Sequence, residues 1–109
     1  MNDTQSSTGT LPEPAAIIDN MTARRSLGTI LLVEDEQRLR DVTCDILEFA
    51  GYRVLKTRNA VEAASAFKEF NPIVRLLLTD VVLPGQNGRD LAHDLRAICP
   101  ELRIIFISG

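Results

Sequence analysis

Residues 76–90 read LLLTDVVLPGQNGRD, and they restrict the folds open to this chain more than any other stretch. Three leucines, Leu76, Leu77 and Leu78, lead through Thr79 into a single carboxylate, Asp80. A continuous apolar run of this kind suits a strand buried on both faces, as in a parallel sheet. Pro84, Gly85, Asn87 and Gly88 then impose an irregular loop before a helical pattern begins. Asp80 is therefore expected at the carboxyl end of a central strand, where open α/β sheets form their ligand crevices. Taken alone, an aspartate in that position is no more than the first polar residue of a loop. A second cluster, Glu34-Asp35-Glu36, closes another short apolar run over residues 30–33. Two parallel neighbours ending in this way would gather three or four acids in one pocket.

The rest of the chain supplies the alternation that such a sheet needs. Residues 1–28 are read as a flexible tail or linker: Ser, Thr, Pro and Asn dominate, Pro12 and Pro14 break any helix, and Gly28 closes the segment. Leu11, Ile17, Ile18 and Met21 are its only candidates for a short docking segment, the minority reading. Residues 29–33 form strand one. From Glu36 the pattern turns helical, with Leu39, Val42, Ile46 and Phe49 at spacings of three and four in one apolar stripe. Gly51 stands where a helix takes a left-handed cap, and residues 52–57 read as strand two. Asn59 with Glu62 at the third position on resembles a capping box and opens an Ala-rich helix over 60–70, which Pro72 ends. Strand three covers 73–79, with Arg75 at its exposed start. A third helix covers 88–99, with Leu91, Leu95 and Ile98 on one side and Pro100 after it. Strand four covers 102–107. Strands alternating with helices imply a parallel sheet with right-handed crossovers. Four strands and three helices are an odd count, since an intact doubly wound domain normally continues.

A chain of 109 residues fits one small domain. The net charge of −3 gives no reason to expect nucleic acid or acidic lipid as a direct partner, and Arg24-Arg25 is too short for a basic patch. Cys44 and Cys99 fall in separate helical patterns without metal-ligand spacing and read as free thiols in a reducing compartment. No apolar run reaches the ~18 residues of a membrane span, and no signal peptide is read, so a cytoplasmic location is the simplest expectation. His93, the single histidine, reads as a polar helix-face residue. A haloacid-dehalogenase-type phosphatase or a toprim nuclease would need a second Asp two residues after the first, where this chain has Val82. A dinucleotide-binding enzyme would need a Gly-rich turn after strand one, where Glu34-Asp35-Glu36 stands.

ILLVEDE, LLLTDVVLPGQNG and IIFISG, in this order and spacing, resemble the receiver domain of two-component response regulators over residues 29–109. The resemblance implies a flavodoxin-like doubly wound parallel sheet with strand order 2-1-3-4-5, an order taken from the family. It also implies that Asp80 is a phosphoacceptor, taking a phosphoryl group from a phosphohistidine on a histidine kinase or histidine phosphotransfer protein. Glu34 and Asp35 match the acidic pair that holds Mg²⁺, Asp35 directly and Glu34 through water, and the backbone carbonyl of Val82 completes the protein's share. Ser108 matches the switch hydroxyl, while Pro84 and Gly88 shape the loop after the acceptor. Elementary chemistry agrees. Three carboxylates in one crevice repel unless a cation neutralises them. Mg²⁺ keeps several waters and takes one or two carboxylates plus phosphate oxygens. A positioned carboxylate can then attack phosphorus to form an acyl phosphate.

One feature of the family has no match. Receivers carry a lysine at the end of strand five, whereas the only lysines here, Lys56 and Lys68, precede the acceptor strand. Strand five and the last two helices are missing, so the chain is expected to be a fragment of a longer protein in preference to a naturally truncated receiver. Residues 102–107 would then form an open edge, leaving the chain alone unstable, partly molten or self-associating, and poor at phosphotransfer. Two functions stay open: a stoichiometric phosphoacceptor that is not itself an enzyme, and a pseudo-receiver acting as a passive protein-binding module. The Pro-containing tail resembles the junction behind the kinase core of a hybrid histidine kinase. Receiver dimerisation is a further partnership the family admits.

Overall fold

The computed structural model describes residues 26–107. The tail through Arg25, with its apolar segment, lies outside the described residues, as do Ser108 and Gly109. Seven elements alternate: β1 (Thr29–Val33), α1 (Gln37–Phe49), β2 (Arg53–Thr57), α2 (Ala60–Phe70), β3 (Val74–Asp80), α3 (Gly88–Ile98) and β4 (Arg103–Ile107). The four strands form one sheet in the order β2-β1-β3-β4, and every pairing is parallel. This is the flavodoxin-like doubly wound arrangement expected of the sequence.

β1 holds the centre, and all five of its residues are buried. Successive side chains on a strand point to opposite faces, so β1 feeds two cores. Leu31 and Val33 meet Leu77, the α2 residues Ala63 and Phe67, and the α3 residues Leu91 and Leu95. Ile30 and Leu32 meet Leu78 and the α1 residue Cys44 on the other face. Each large apolar side chain buried in this way contributes ~1.5–3 kcal/mol.

Local backbone chemistry sets where the elements stop. At the end of α1 the Gly51 amide donates to the Glu48 carbonyl at 3.0 Å and the Tyr52 amide to the Leu47 carbonyl at 3.1 Å. That is a Schellman closure, and Gly51 supports it with a φ of 110°. Tyr52 is thereby taken out of β2, which begins at Arg53, one residue later than its pattern predicts. Ile73 and Leu102 are removed from β3 and β4 in the same way, their amides donating to Phe70 and Cys99.

The stripe of α1 departs from the usual fate of an apolar face. Leu39, Val42, Ile46 and Phe49 are 43%, 53%, 62% and 96% exposed. The helix leans on the sheet through Cys44 and Leu47 instead. Periodicity marks a stripe but not what lies against it, and no described element packs over this one. β4 is an edge strand with Ile105 and Phe106 also exposed. No helix among the described residues is long and apolar enough to cross a membrane.

Candidate functional site: an acidic pocket at the strand ends

The register places Val33 of β1 beside Thr79 of β3, so Glu34 and Asp80 follow as neighbours at the carboxyl end of the sheet. Glu34, Asp35 and Asp80 each bring a carboxylate oxygen to within 4.8 Å of the other two. Glu36 is not in the group. It serves as the extended N-cap position of α1 and turns its amide to the Glu34 Oε2 atom at 3.1 Å.

The three carboxylates differ in environment. Glu34 is 2% exposed, Asp80 half-buried and Asp35 exposed. The Glu34 backbone is tied on both sides: its amide donates to the Thr57 carbonyl at 3.0 Å, and its carbonyl accepts Arg40 Nη1 at 2.9 Å. Its Oε1 atom is buried without any hydrogen-bond partner. Burial pushes the Glu34 carboxyl up from 4.5 to about 7; the Glu36 amide opposes that shift, and the neighbouring Asp80 adds to it. A buried, unpartnered carboxylate oxygen beside two further carboxylates is a donor set that a bound cation would satisfy. All its donors are oxygens, which suits a hard divalent ion such as Mg²⁺.

Asp80 closes β3, and residues 81–87 then loop to α3. The loop is fastened where the Gly88 amide donates to the Val81 carbonyl at 2.8 Å. Asn87 caps α3 through its side chain, which accepts the Asp90 amide at 2.9 Å. Val82 lies on this loop and is 81% exposed; its side chain has no ligand atom, so its backbone carbonyl is the group it could offer. Ser108, expected as a switch hydroxyl, lies outside the described residues. Two participants escape a reading of the sequence. Arg40 braces Glu34 from the first turn of α1, and Thr79, fully buried, donates its hydroxyl to the Asp80 carbonyl at 2.9 Å. Arg40 lies one helical turn beyond Glu36, a spacing that could have flagged it; Thr79 gives no such signal.

The chain is similar to known proteins in sequence and in fold. A family model for the response regulator receiver domain matches residues 30–109. The response regulator receiver protein CpdR of Brucella abortus is 41% identical over 80 residues, covering 73% of this chain and 65% of that protein. The sensor kinase CckA of Brucella abortus is 34% identical over 92 residues, which is 84% of this chain but 10% of that kinase. The chain thus spans a small part of one relative and just under two thirds of the other. Among solved structures, the receiver domain from the hybrid histidine kinase CckA superposes with a TM-score of 0.72 at 36% identity, covering 75% of this chain and 76% of that one. The response regulator TrrA from Thermotoga maritima, solved in complex with Mg²⁺ and BeF, gives 0.69 at 28% identity, covering 75% and 70%. Matched by the family model over residues 30–109 and by receiver structures over about three quarters of its length, this chain belongs to the response regulator receiver domains, the phosphoacceptor signalling domains of two-component systems.

Proposed function

We propose that this chain accepts a phosphoryl group on Asp80, with Mg²⁺ held by Glu34, Asp35 and Asp80, and passes the change to an interaction surface. The observation that carries this reading is the convergence of the three carboxylates within 4.8 Å, with Glu34 Oε1 buried and unpartnered. Mg²⁺, when bound, would neutralise the acids and the charge spreading over the transferring phosphoryl oxygens. The chain's own part is positional. Asp35, the exposed member, is the direct carboxylate ligand; Glu34 is fixed deeper by Arg40 and the Glu36 amide and acts through water. The Val82 carbonyl completes the protein ligands, and Ser108 is the hydroxyl that reads the product.

In the transfer, one Asp80 carboxylate oxygen attacks phosphorus and an O–P bond forms. The bond from phosphorus to the donor breaks, and its electron pair leaves with the imidazole nitrogen, which a solvent proton can then neutralise. The donor is a histidine kinase or a histidine phosphotransfer protein, and the protein acts stoichiometrically, not as an enzyme.

The test is labelling by acetyl phosphate, followed as a phosphoryl adduct by intact mass. Wild-type protein should gain the adduct only with Mg²⁺, and Asp80→Asn should gain none. In a Mg²⁺ titration Asp35→Asn should lose most of the binding, and Glu36→Gln should change little. Labelling of Asp80→Asn at the wild-type rate would place the acceptor elsewhere. A wild-type protein that takes no phosphoryl group would instead favour a passive binding module on the same fold.

A further inference from the structure

Gly88 opens α3 in closer contact with the acceptor than any side chain allows. A Cβ built on Gly88 would overlap the Asp80 carbonyl oxygen, lie 3.0 Å from the Asp80 carbonyl carbon and lie 3.1 Å from Thr79 Oγ1. That same carbonyl oxygen accepts the Thr79 hydroxyl at 2.9 Å. The Gly88 amide meanwhile holds the Val81 carbonyl at 2.8 Å, so the helix head is tied to the residue that follows Asp80 while the Thr79 hydroxyl holds the Asp80 carbonyl from the strand side. Gly88 and Thr79 are both buried. Relief of the overlap would require the strand end, the helix head or both to move by roughly an ångström.

We propose that Gly88 and Thr79 are positioning residues for the acceptor: the bare helix head and the buried hydroxyl together fix the Asp80 peptide and so set where its carboxylate stands. Neither touches the transferred group; both act through Asp80. This inference rests on the reading of Asp80 as the phosphoacceptor. In-line attack tolerates little misplacement, and a 1 Å error in a reacting group costs on the order of 100-fold in rate.

The experiment follows acetyl phosphate labelling of the full chain with Mg²⁺ by intact mass, with thermal unfolding of every variant. Gly88→Ala is expected to label roughly 100-fold more slowly than wild type. Gly51→Ala supplies the stability control: it strains a residue at φ 110°, at the end of the sheet away from the pocket, and should lower the melting temperature while labelling within about twofold of wild type. Thr79→Val removes the hydroxyl and should also slow labelling, whereas Thr79→Ser keeps it and should restore the rate. That pair decides the matter if Gly88→Ala does not fold. Labelling of Gly88→Ala at the wild-type rate, an equal rate loss in Gly51→Ala at matched stability, or equal rates for Thr79→Val and Thr79→Ser would overturn the inference. Labelling of Asp80→Asn would remove its premise along with the proposed function. A silent Asp80→Asn beside a fast Gly88→Ala would sink the inference alone.

Discussion

At the scale of single residues, the energy of the pocket is concentrated in Glu34. The residue is 2% exposed, with one carboxylate oxygen bonded to the Glu36 amide and the other buried without a hydrogen-bond partner. Burial raises its pKa from 4.5 to about 7, with Asp80 reinforcing the shift. In the window between those values the native state binds more proton than the unfolded chain, so stability must fall as pH rises. The contribution is full below about 4.5 and gone above about 7. A shift of this size corresponds to a loss on the order of 3 kcal/mol. Urea unfolding in EDTA should therefore show stability declining across that window, and Mg²⁺ should flatten the decline by binding the ionised form. Glu34→Gln should abolish the pH slope; a flat or rising profile for the wild type in EDTA would refute the account. The sequence identified these acids because strand-end positions can be read from apolar runs. Which acid is buried could not be read, since that depends on Arg40 and the Glu36 amide folding around Glu34.

At the scale of elements, short-range chemistry proved the most legible. The expected span of α2 is the observed one, Ala60–Phe70, and its Asn59 side chain accepts the Glu62 amide at 2.8 Å. The box is modified, however: the Glu62 carboxylate reaches past Asn59 to the Arg58 amide at 2.9 Å and the Arg58 guanidinium at 2.7 Å. Asn59→Ala should consequently destabilise the protein by about 1 kcal/mol, with Asn59→Asp retaining most of the stability, as measured by urea unfolding. No loss on Asn59→Ala would mean that Glu62 and Arg58 hold the helix end without the cap. The misplaced boundaries share one cause. Tyr52, Ile73 and Leu102 have strand-like side chains, but their amides are already committed to the preceding helix or turn. Hydrophobic pattern reports where side chains go and is silent about where an amide proton goes.

At the scale of the whole molecule, the two faces of the sheet are unequally covered, and this has a consequence in solution. α2 and α3 together close one core, while α1 alone serves the other, leaning on β1 and β2. Beside α1 the stripe of Leu39, Val42, Ile46 and Phe49 stays open, and so does Ile105 on the edge strand β4. The sequence showed the stripe and the apolar strand; the exposure of both depends on the sheet order and on which helix covers which strand. Each such side chain left in water forgoes transfer energy at ~25 cal/mol per Å². Several together forgo a few kcal/mol, a sizeable share of the ~5–15 kcal/mol that stabilises a typical domain. An edge strand with unpaired backbone groups and apolar side chains also offers a template for a second strand. The 109-residue chain is therefore expected to self-associate at micromolar concentration and to melt broadly. A lysine on the edge blunts strand pairing, so Ile105→Lys should shift the distribution toward monomer in sedimentation velocity. Ile46→Lys on the helix should do so to a lesser degree, because it removes apolar contact but leaves the backbone edge free. A sharp, concentration-independent melt of a monomeric wild-type chain would show that the covered core alone supports the fold. Equal effects from the two substitutions would show that apolar contact, not strand pairing, drives the association.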